Sequence, residues 1–562
     1  YTYDGTLSTA KTNAINNPNQ ASTEYSKSFA RTDYYSVSGY LNYHQTLGEK
    51  HNVTAMLGAQ YNLKEYDYTV VTAKDVQSSL EILNGSGEIT LKNSAKTSGP
   101  SKWHEAMMSY FGRFNYNYMS KYLLEMNLRY DGSSKFRPEN RWDFFYGFSG
   151  GWRLSEEEFM KNVKFVNELK LRLSYGVVGN QSGISRYDGM QLYNFNSVNG
   201  AYIGDGRISY IKTSGEIATM GRSWERIHNY NLGLDFHLFD SRLQGTVELF
   251  MKKNNNMLIA VAYPGILGDK APASNSGKFE AKGYEGTVTW SDKIGKVNYH
   301  VGGTFTYADN KLVDYGGVTV FKSGFVDKQQ GYSLNSVFGL KYCGKIQTEE
   351  QLRKYIYKYY NSNGIGMPKD LRLGDNMYED VNGDNVIDGD DRQVLGSYIP
   401  NFTYGINLGL NWKNLDFELT TYGQTGGQIY NRKRALRYAQ SNYNFDKAQY
   451  ENRWTGPGST NSHPSAAALV KGWNVSDQRV NSYFVESADF FRIQNITLGY
   501  SLRNIKMGNY TLPGIRFSLT ADRPFTTFKA NSFTPELSDA EGWDTEVYPL
   551  TSTYSFGIQI DF

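Results

Sequence analysis

With one cysteine, Cys343, in 562 residues, the chain can form no internal disulfide framework and no cysteine zinc cluster. Long hydrophobic runs are also missing, since no stretch approaches the roughly 18 apolar residues of a membrane helix. No charge of one sign dominates: Lys plus Arg 59 against Asp plus Glu 56 gives no reason to expect a nucleic-acid partner. The seven histidines show no His-Glu-x-x-His and no paired ligand spacing. Gly147-Phe148-Ser149-Gly150-Gly151 matches the pattern of a hydrolase nucleophile elbow, but it lies inside an alternating strand, where no sharp strand-to-helix turn can expose Ser149. No enzyme is indicated. Proline is scarce at 13, while Tyr 46, Phe 30, Trp 9 and Gly 56 make a strand-rich composition. A mean hydropathy of -0.57 does not exclude a membrane, because barrels dilute their apolar band with lumen and loop residues.

Residues 554–562 read Tyr-Ser-Phe-Gly-Ile-Gln-Ile-Asp-Phe, with Tyr554, Phe556, Ile558, Ile560 and Phe562 on one face and small or polar groups on the other. A face of large apolar groups opposed by small ones suits lipid better than a packed core. About fifteen strand-like stretches of roughly 10 to 17 residues follow this plan, close to the length of a tilted membrane strand. Tyr122, Leu124, Met126, Leu128 and Tyr130 oppose Glu125, Asn127 and Arg129, and Leu169, Leu171, Leu173 and Tyr175 oppose Lys170, Arg172 and Ser174. Leu232, Leu234, Phe236 and Leu238 oppose Asn231, Asp235 and His237; Phe402, Tyr404, Ile406, Leu408, Leu410 and Trp412 oppose Thr403, Asn407 and Asn411. The charges gather on one side, a lumen wall that would contact a plug or a solute, with Glu248 among them.

The links alternate in length. Short ones are expected at 47–50, 119–121, 239–241, 292–294 and 413–414, and somewhat longer ones at 156–165 and 503–512. Long ones are expected at 67–102, 179–221, 255–278, 311–397, 428–486 and 528–548. Counted back from a periplasmic carboxyl end, every short link is periplasmic and every long one extracellular, as in outer-membrane barrels.

Several stretches resemble the SusC-type (SusC/RagA) TonB-dependent transporters of the outer membrane. They are Ser487-Ala488-Asp489-Phe490-Phe491-Arg492-Ile493-Gln494-Asn495-Ile496-Thr497-Leu498-Gly499-Tyr500, Leu169 to Gly176 followed by Gly179-Asn180-Gln181, Tyr130-Asp131-Gly132-Ser133-Ser134, Gly151 to Phe159, and Trp224-Glu225 with Asn231 to Phe236. The resemblance implies an all-β, transmembrane antiparallel barrel of about 22 strands with long extracellular loops. Residues 1–562 are then its carboxy-terminal part, with roughly the last 15–16 strands. The signal peptide, plug, TonB-contacting segment and first strands are expected to precede Tyr1, where no charged n-region or apolar h-region is seen. It further implies uptake of nutrient oligomers, glycans foremost and peptides as the alternative, beneath a SusD-type surface lipoprotein. The TonB complex would drive it, and two transporter–lid pairs would associate in outer-membrane lipid. A barrel-anchored surface receptor or adhesin without transport is the reading from another class.

One motif points to a metal. Asp380-Val381-Asn382-Gly383-Asp384-Asn385-Val386-Ile387-Asp388-Gly389-Asp390-Asp391 has the spacing of a calcium loop: Asp380, Asn382 and Asp384 at positions 1, 3 and 5, the Val386 carbonyl at 7, Asp388 at 9 and Asp391 at 12. A structural Ca²⁺ is expected there, although Asn385 stands where glycine is usual and Asp391 is shorter than the usual glutamate. The loop tryptophans Trp454, Trp473 and Trp543 are candidates for stacking on a substrate ring, against their use as membrane-girdle aromatics. Cys343 reads as a plain loop residue.

Overall fold

The computed structural model describes the chain except residues 1, 5–6, 9–23, 75–88, 93–101, 188–189, 191–192, 197–201, 204–205, 208–209, 214–220, 261–272, 317–319, 322–327, 360–370, 385–386, 388, 440–446, 466–479, 509, 535, 537–541, 545–548 and 562. Fifteen strands of nine residues or more dominate it. We label them β1 (Glu24–Leu47), β2 (His51–Lys74), β3 (Lys102–Tyr118), β4 (Tyr122–Ser133), β5 (Trp142–Arg153), β6 (Val166–Asn180), β7 (Glu225–Leu238), β8 (Leu243–Ala260), β9 (Ala273–Ile294), β10 (Val297–Tyr315), β11 (Phe402–Trp412), β12 (Leu415–Thr425), β13 (Phe490–Met507), β14 (Tyr510–Phe528) and β15 (Thr553–Asp561). Among the described residues eighteen strands fall in one sheet, and six two-stranded sheets lie outside it.

The links keep the expected alternation; the long ones differ by a few residues at their ends, and two of the shorter ones move. The strand expected to end near 292 continues to Ile294, and the turn is Gly295 and Lys296, with Gly295 at φ +60°. The link expected at 503–512 is largely strand. Its polar residues and Pro513 read as a turn, but the ladder absorbs them. Arg503 faces Gly514 and Ile505 faces Leu512, with Asn504 at φ +54° between them. Several strands also exceed the expected length, β1 and β2 reaching 24 residues each. Hydrogen bonding between paired strands continues beyond the stretch that apolar alternation marks.

Two compact units describe the chain, Tyr1–Gly150 with Gly176–Ile227 and Ala260–Asn275, and Gly151–Tyr175 with His228–Ile259 and Ser276–Phe562. In the first, β1 pairs with β2, β2 with β3 and β3 with β4, all antiparallel. Their register lines up Tyr43, Ala55, Phe114 and Met126 in one cross-strand row and His44, Thr54, Asn115 and Glu125 in the next. The second unit repeats this over seven strands. Trp290, Val301, Leu408, Leu419, Ile496, Ala521 and Tyr554 form one row, while Thr289, Gly302, Asn407, Thr420, Asn495, Asp522 and Thr553 form the adjacent row on the opposite face. Period-two alternation held in register across strands is what separates an apolar from a polar surface.

The apolar surface is open. Leu519 is 57% exposed, in a row with Leu498 and Phe556, itself 63% exposed. Water would penalise such a continuous patch; a hydrocarbon surround would not. Leu519 lies near the middle of β14, so Leu519→Arg is expected to destabilise the protein in a bilayer by about 2–4 kcal/mol. Urea titration of folding into vesicles measures it, and a cost below about 0.5 kcal/mol, the level of an ordinary surface change, would mean that this face does not meet lipid.

Candidate functional site

The polar strand face is a hydrogen-bonded wall. Arg172 on β6 donates to both carboxylate oxygens of Asp235 on β7 at 2.8 Å, to Glu248 on β8 at 2.5 Å and to Thr246 at 3.1 Å. Asn231 donates to Glu248 at 2.8 Å, and the Thr246 hydroxyl donates to Asp235 at 2.9 Å. The planar guanidinium suits this fork of carboxylates. Gly233 leaves it room, since a Cβ there would stand 2.8 Å from the guanidinium. Arg129 reaches Asp131 at 2.7 Å and Ser109 at 2.8 Å, and Glu125 accepts from Asn127 at 2.6 Å. The lumen-side charges read from the sequence are therefore polar-face residues, and three of them, Arg172, Asp235 and Glu248, meet in one cluster.

Above the strands of the second unit, three links, 316–401, 426–489 and 529–552, fold together. Short ladders pair Ser336–Gly339 with Gln393–Ser397, Tyr342–Lys345 with Asn376–Tyr378, and Gln428–Tyr430 with Val485–Ser487. The first two links are joined where Leu340 donates its N–H to the Val480 carbonyl at 2.8 Å and Ser482 donates to the Leu340 carbonyl at 2.9 Å. The third joins where Tyr430 donates to Gly542 at 3.0 Å and Asp544 donates to Tyr430 at 2.8 Å. Val337, Tyr430, Ala435, Val480 and Phe484 form a buried core under this platform, and Leu340, Ile346, Leu371, Tyr378 and Ile387 form a second. Much of its polar interior is bonded internally. Asn431, fully buried, donates to the Asn531 carbonyl at 2.8 Å and accepts from the Arg434 N–H at 3.0 Å, while Arg434 pairs with Glu486 at 2.9 Å.

Lys345 is the least expected member, a fully buried lysine. Its ammonium donates to Asn376 and lies 4.8 Å from the Tyr342 ring centre and 4.3 Å from that of Tyr483. Burial pushes its pKa well below the ordinary lysine range; Asp375 counters this in part and the Arg434 charge adds to it. The unfolded chain therefore binds the proton more readily than the folded platform, so stability rises with pH up to the ordinary lysine value. Hydrogen-exchange protection in residues 336–345 is expected to grow as pH is raised from about 7 toward 10.4 after correction for intrinsic exchange. Lys345→Met should flatten that slope; an unchanged slope in the variant would assign the effect elsewhere.

Trp454 and Trp543 are built into the platform. The Trp454 indole donates to Gln347 at 2.8 Å and its ring covers Gly374, at φ +88°, where a Cβ would come within 2.7 Å. Glycine is needed there for both the backbone and the ring. Trp543 meets Tyr430 edge-on at 5.2 Å, with the Arg432 guanidinium 5.0 Å from its ring. Both are partly buried, and Trp473 lies outside the described residues. Asp380, Asn382 and Asp384 fall in one tight turn. Gly383, at φ +74°, donates to Asp380 at 2.9 Å, Asp384 donates to Asn382 at 3.1 Å, and buried Asp391 accepts from the Val381 N–H at 2.8 Å. Asn385, Val386 and Asp388 lie outside the described residues, and among those described no group of three acidic, histidine or cysteine side chains converges as a metal site. Cys343 is exposed. Lys345, Asn431 and the Lys433–Asp544 pair escaped the sequence reading, because nothing in their local pattern announces burial.

Long antiparallel strands with an open apolar face, a polar face bonded to itself and alternating links define a protein of the outer-membrane β-barrel class. The model of the TonB dependent receptor-like beta-barrel family matches residues 1–522, and the chain belongs to that family. It is a family of outer-membrane receptors, not of enzymes. TonB-dependent receptor P39 of Formosa agariphila is 28% identical over 93% of this chain and 52% of its own length. TonB-dependent receptor SusC of Bacteroides thetaiotaomicron is 28% identical over 81% of this chain and 44% of its own length. The chain thus spans about half the length of the curated relatives it matches. A solved structure of the RagAB peptide importer in its open-open state superposes with a TM-score of 0.78 over 97% of this chain and 57% of that one, at 23% identity. At that identity the match speaks for the fold.

Proposed function

We propose that the protein to which this chain belongs imports nutrient oligomers across the outer membrane, with glycans as the first substrate class to test. A SusD-type lipoprotein would cover the outer loops, TonB would supply the energy, and two such pairs would associate. The observation that carries this reading is the ordered platform. Loops that serve only as tethers need no buried core, whereas a surface that must position a ligand or a lid does. Peptide import is the second reading, favoured by the fold match to a peptide importer. Uptake of labelled oligosaccharides and oligopeptides by intact cells, with and without the lid protein and an energised inner membrane, separates the readings. Energy-dependent uptake of one class identifies the substrate, and binding without uptake of either would make this a surface receptor.

Where substrate stacks, Trp473 and the exposed portions of Trp454 and Trp543 are the aromatic groups we assign. Alanine in place of each should lower binding of a ring-bearing oligomer. For the acidic turn we propose a structural Ca²⁺ held by Asp380, Asn382, Asp384, the Val386 carbonyl, Asp388 and Asp391. Support comes from the spacing and from the one tight turn that Asp380, Asn382 and Asp384 share. Millimolar Ca²⁺ is expected to slow proteolysis of 376–397 and a chelator to restore it; equal cleavage in both would remove the ion from the account.

A further inference from the structure

The turn side of the second unit carries several cations that make no ion pair among the described residues. The contacts place their elements next to one another. Phe239 donates to the Phe165 carbonyl at 2.7 Å, and Ser291 donates to the Arg242 carbonyl at 2.8 Å. The register then runs from Lys293 and Asn298 through Val297 and Trp412 to Leu415 and Tyr500. Along this edge the acids Glu156, Glu158 and Asp292 lie against Arg153, Lys161 and Arg242. Glu157 accepts from the Trp152 indole. Lys164, Lys296 and Lys413, on the links, make no ion pair among the described residues; Lys293 and Arg503 make none either but continue the polar strand face, in line with Thr289 and Ser501, and the acids Asp240 and Asp561 likewise make none.

Large apolar groups share this edge. Phe159 is 64% exposed on a 3-10 turn, Phe165 51% and Ile294 69%, and Phe165 stacks on Phe239 at 5.7 Å. Trp412 continues the exposed face of Ile406, Leu408 and Leu410, and the Lys413 ammonium lies 5.2 Å from its ring centre. Arg242 sits 5.7 Å from the ring of Trp290 in the same way. The cations thus begin where the apolar strand face ends. In a bilayer that is the height of the phospholipid headgroups, where amphipathic rings and long basic side chains are stable.

We propose that this edge is a binding surface for anionic phospholipid headgroups, such as phosphatidylglycerol, in the membrane leaflet that the short turns meet. The aromatic and aliphatic groups settle among the upper acyl chains, and the unpaired ammonium groups hold the phosphates. Charge complementarity selects the occupant: Lys164, Lys296 and Lys413 stand unpaired on links that directly border the lipid-facing band. The proposal rests on the outer-membrane location and not on the identity of the imported substrate.

The test uses the full-length protein in nanodiscs of phosphatidylcholine with phosphatidylglycerol as a minor component, with native mass spectrometry counting the lipids retained. The rim variant Lys164→Gln/Lys296→Gln/Lys413→Gln is compared with a loop variant Lys341→Gln/Lys354→Gln/Lys447→Gln, both checked for the heat-shifted gel mobility of a folded barrel. Each cation near an anionic surface contributes roughly fivefold to its attraction. The wild type and loop variant should enrich phosphatidylglycerol over phosphatidylcholine, and the rim variant should lose that enrichment by about tenfold or more. Equal enrichment in all three would overturn the proposal, as would equal loss in the loop variant. Displacement of the lipid by excess inorganic phosphate would also overturn it, since that would indicate a site for free phosphate.

Discussion

Phe484→Ala is expected to unfold the loop platform while leaving the strands in place, at a cost of about 3–5 kcal/mol to the platform. Phe484 is fully buried, meets Tyr483 at 4.8 Å and Tyr430 at 6.0 Å, both edge-on, and carries the Arg434 guanidinium 5.6 Å from its ring. Alanine would leave a cavity beneath a polar network whose geometry depends on that ring. Limited proteolysis should then cleave within 426–489, while heat-shifted gel mobility, which reports the strands, stays as in the wild type. Full protection in the variant would mean that the platform does not rest on this core.

The second large effect is electrostatic. Lys433 stands 3.2 Å from Asp544, donates to Ser532 at 2.9 Å and lies 4.6 Å from the Phe533 ring centre, and both charged side chains are buried. The nearer Asp544 oxygen makes no well-directed hydrogen bond, so Coulomb attraction to the ammonium is what compensates its burial. Lys433→Met leaves that carboxylate without a counter-charge, which costs about 3–5 kcal/mol for a buried pair. Lys433→Met/Asp544→Leu should recover most of the loss, because it removes the stranded charge as well. Hydrogen exchange across 428–436 in the four members of this cycle measures the coupling. A double variant as unstable as the single one would show that packing, not charge, governs the site.

The strands were legible in the sequence because each carries its own evidence. Leu408, Leu410 and Trp412 alternate with Asn407, Gly409 and Asn411 whatever lies beside them, and the register then aligns those faces from β9 to β15. The ends were less legible, as at Arg503 to Leu512, since a ladder tolerates polar residues and a proline at a skipped position, which local propensity reads as a turn. The platform was not legible at all. Its core joins Val337, Tyr430, Val480 and Phe484 across long sequence separations, and Lys345 and Asn431 look locally like exposed loop residues. The acidic turn was visible from spacing alone; the tryptophans were visible as residues, but their contacts with Gln347 and Tyr430 were not.

The platform's long-range seams bear on the order of assembly. Tyr342 takes its place by donating to the Ser482 hydroxyl, 140 residues further along. Between them run β11 and β12, and β13 begins shortly after Ser482, so closing this seam on the free chain would carry the entropy of a very long loop. Once those strands have paired, the ends of both links are held near each other and most of that entropy has already been lost. Closure should therefore come late, after membrane insertion, and protease resistance of the outer loops should lag behind heat-resistant gel mobility during assembly. Cells could then hold a fully inserted population that has yet to form its outer surface.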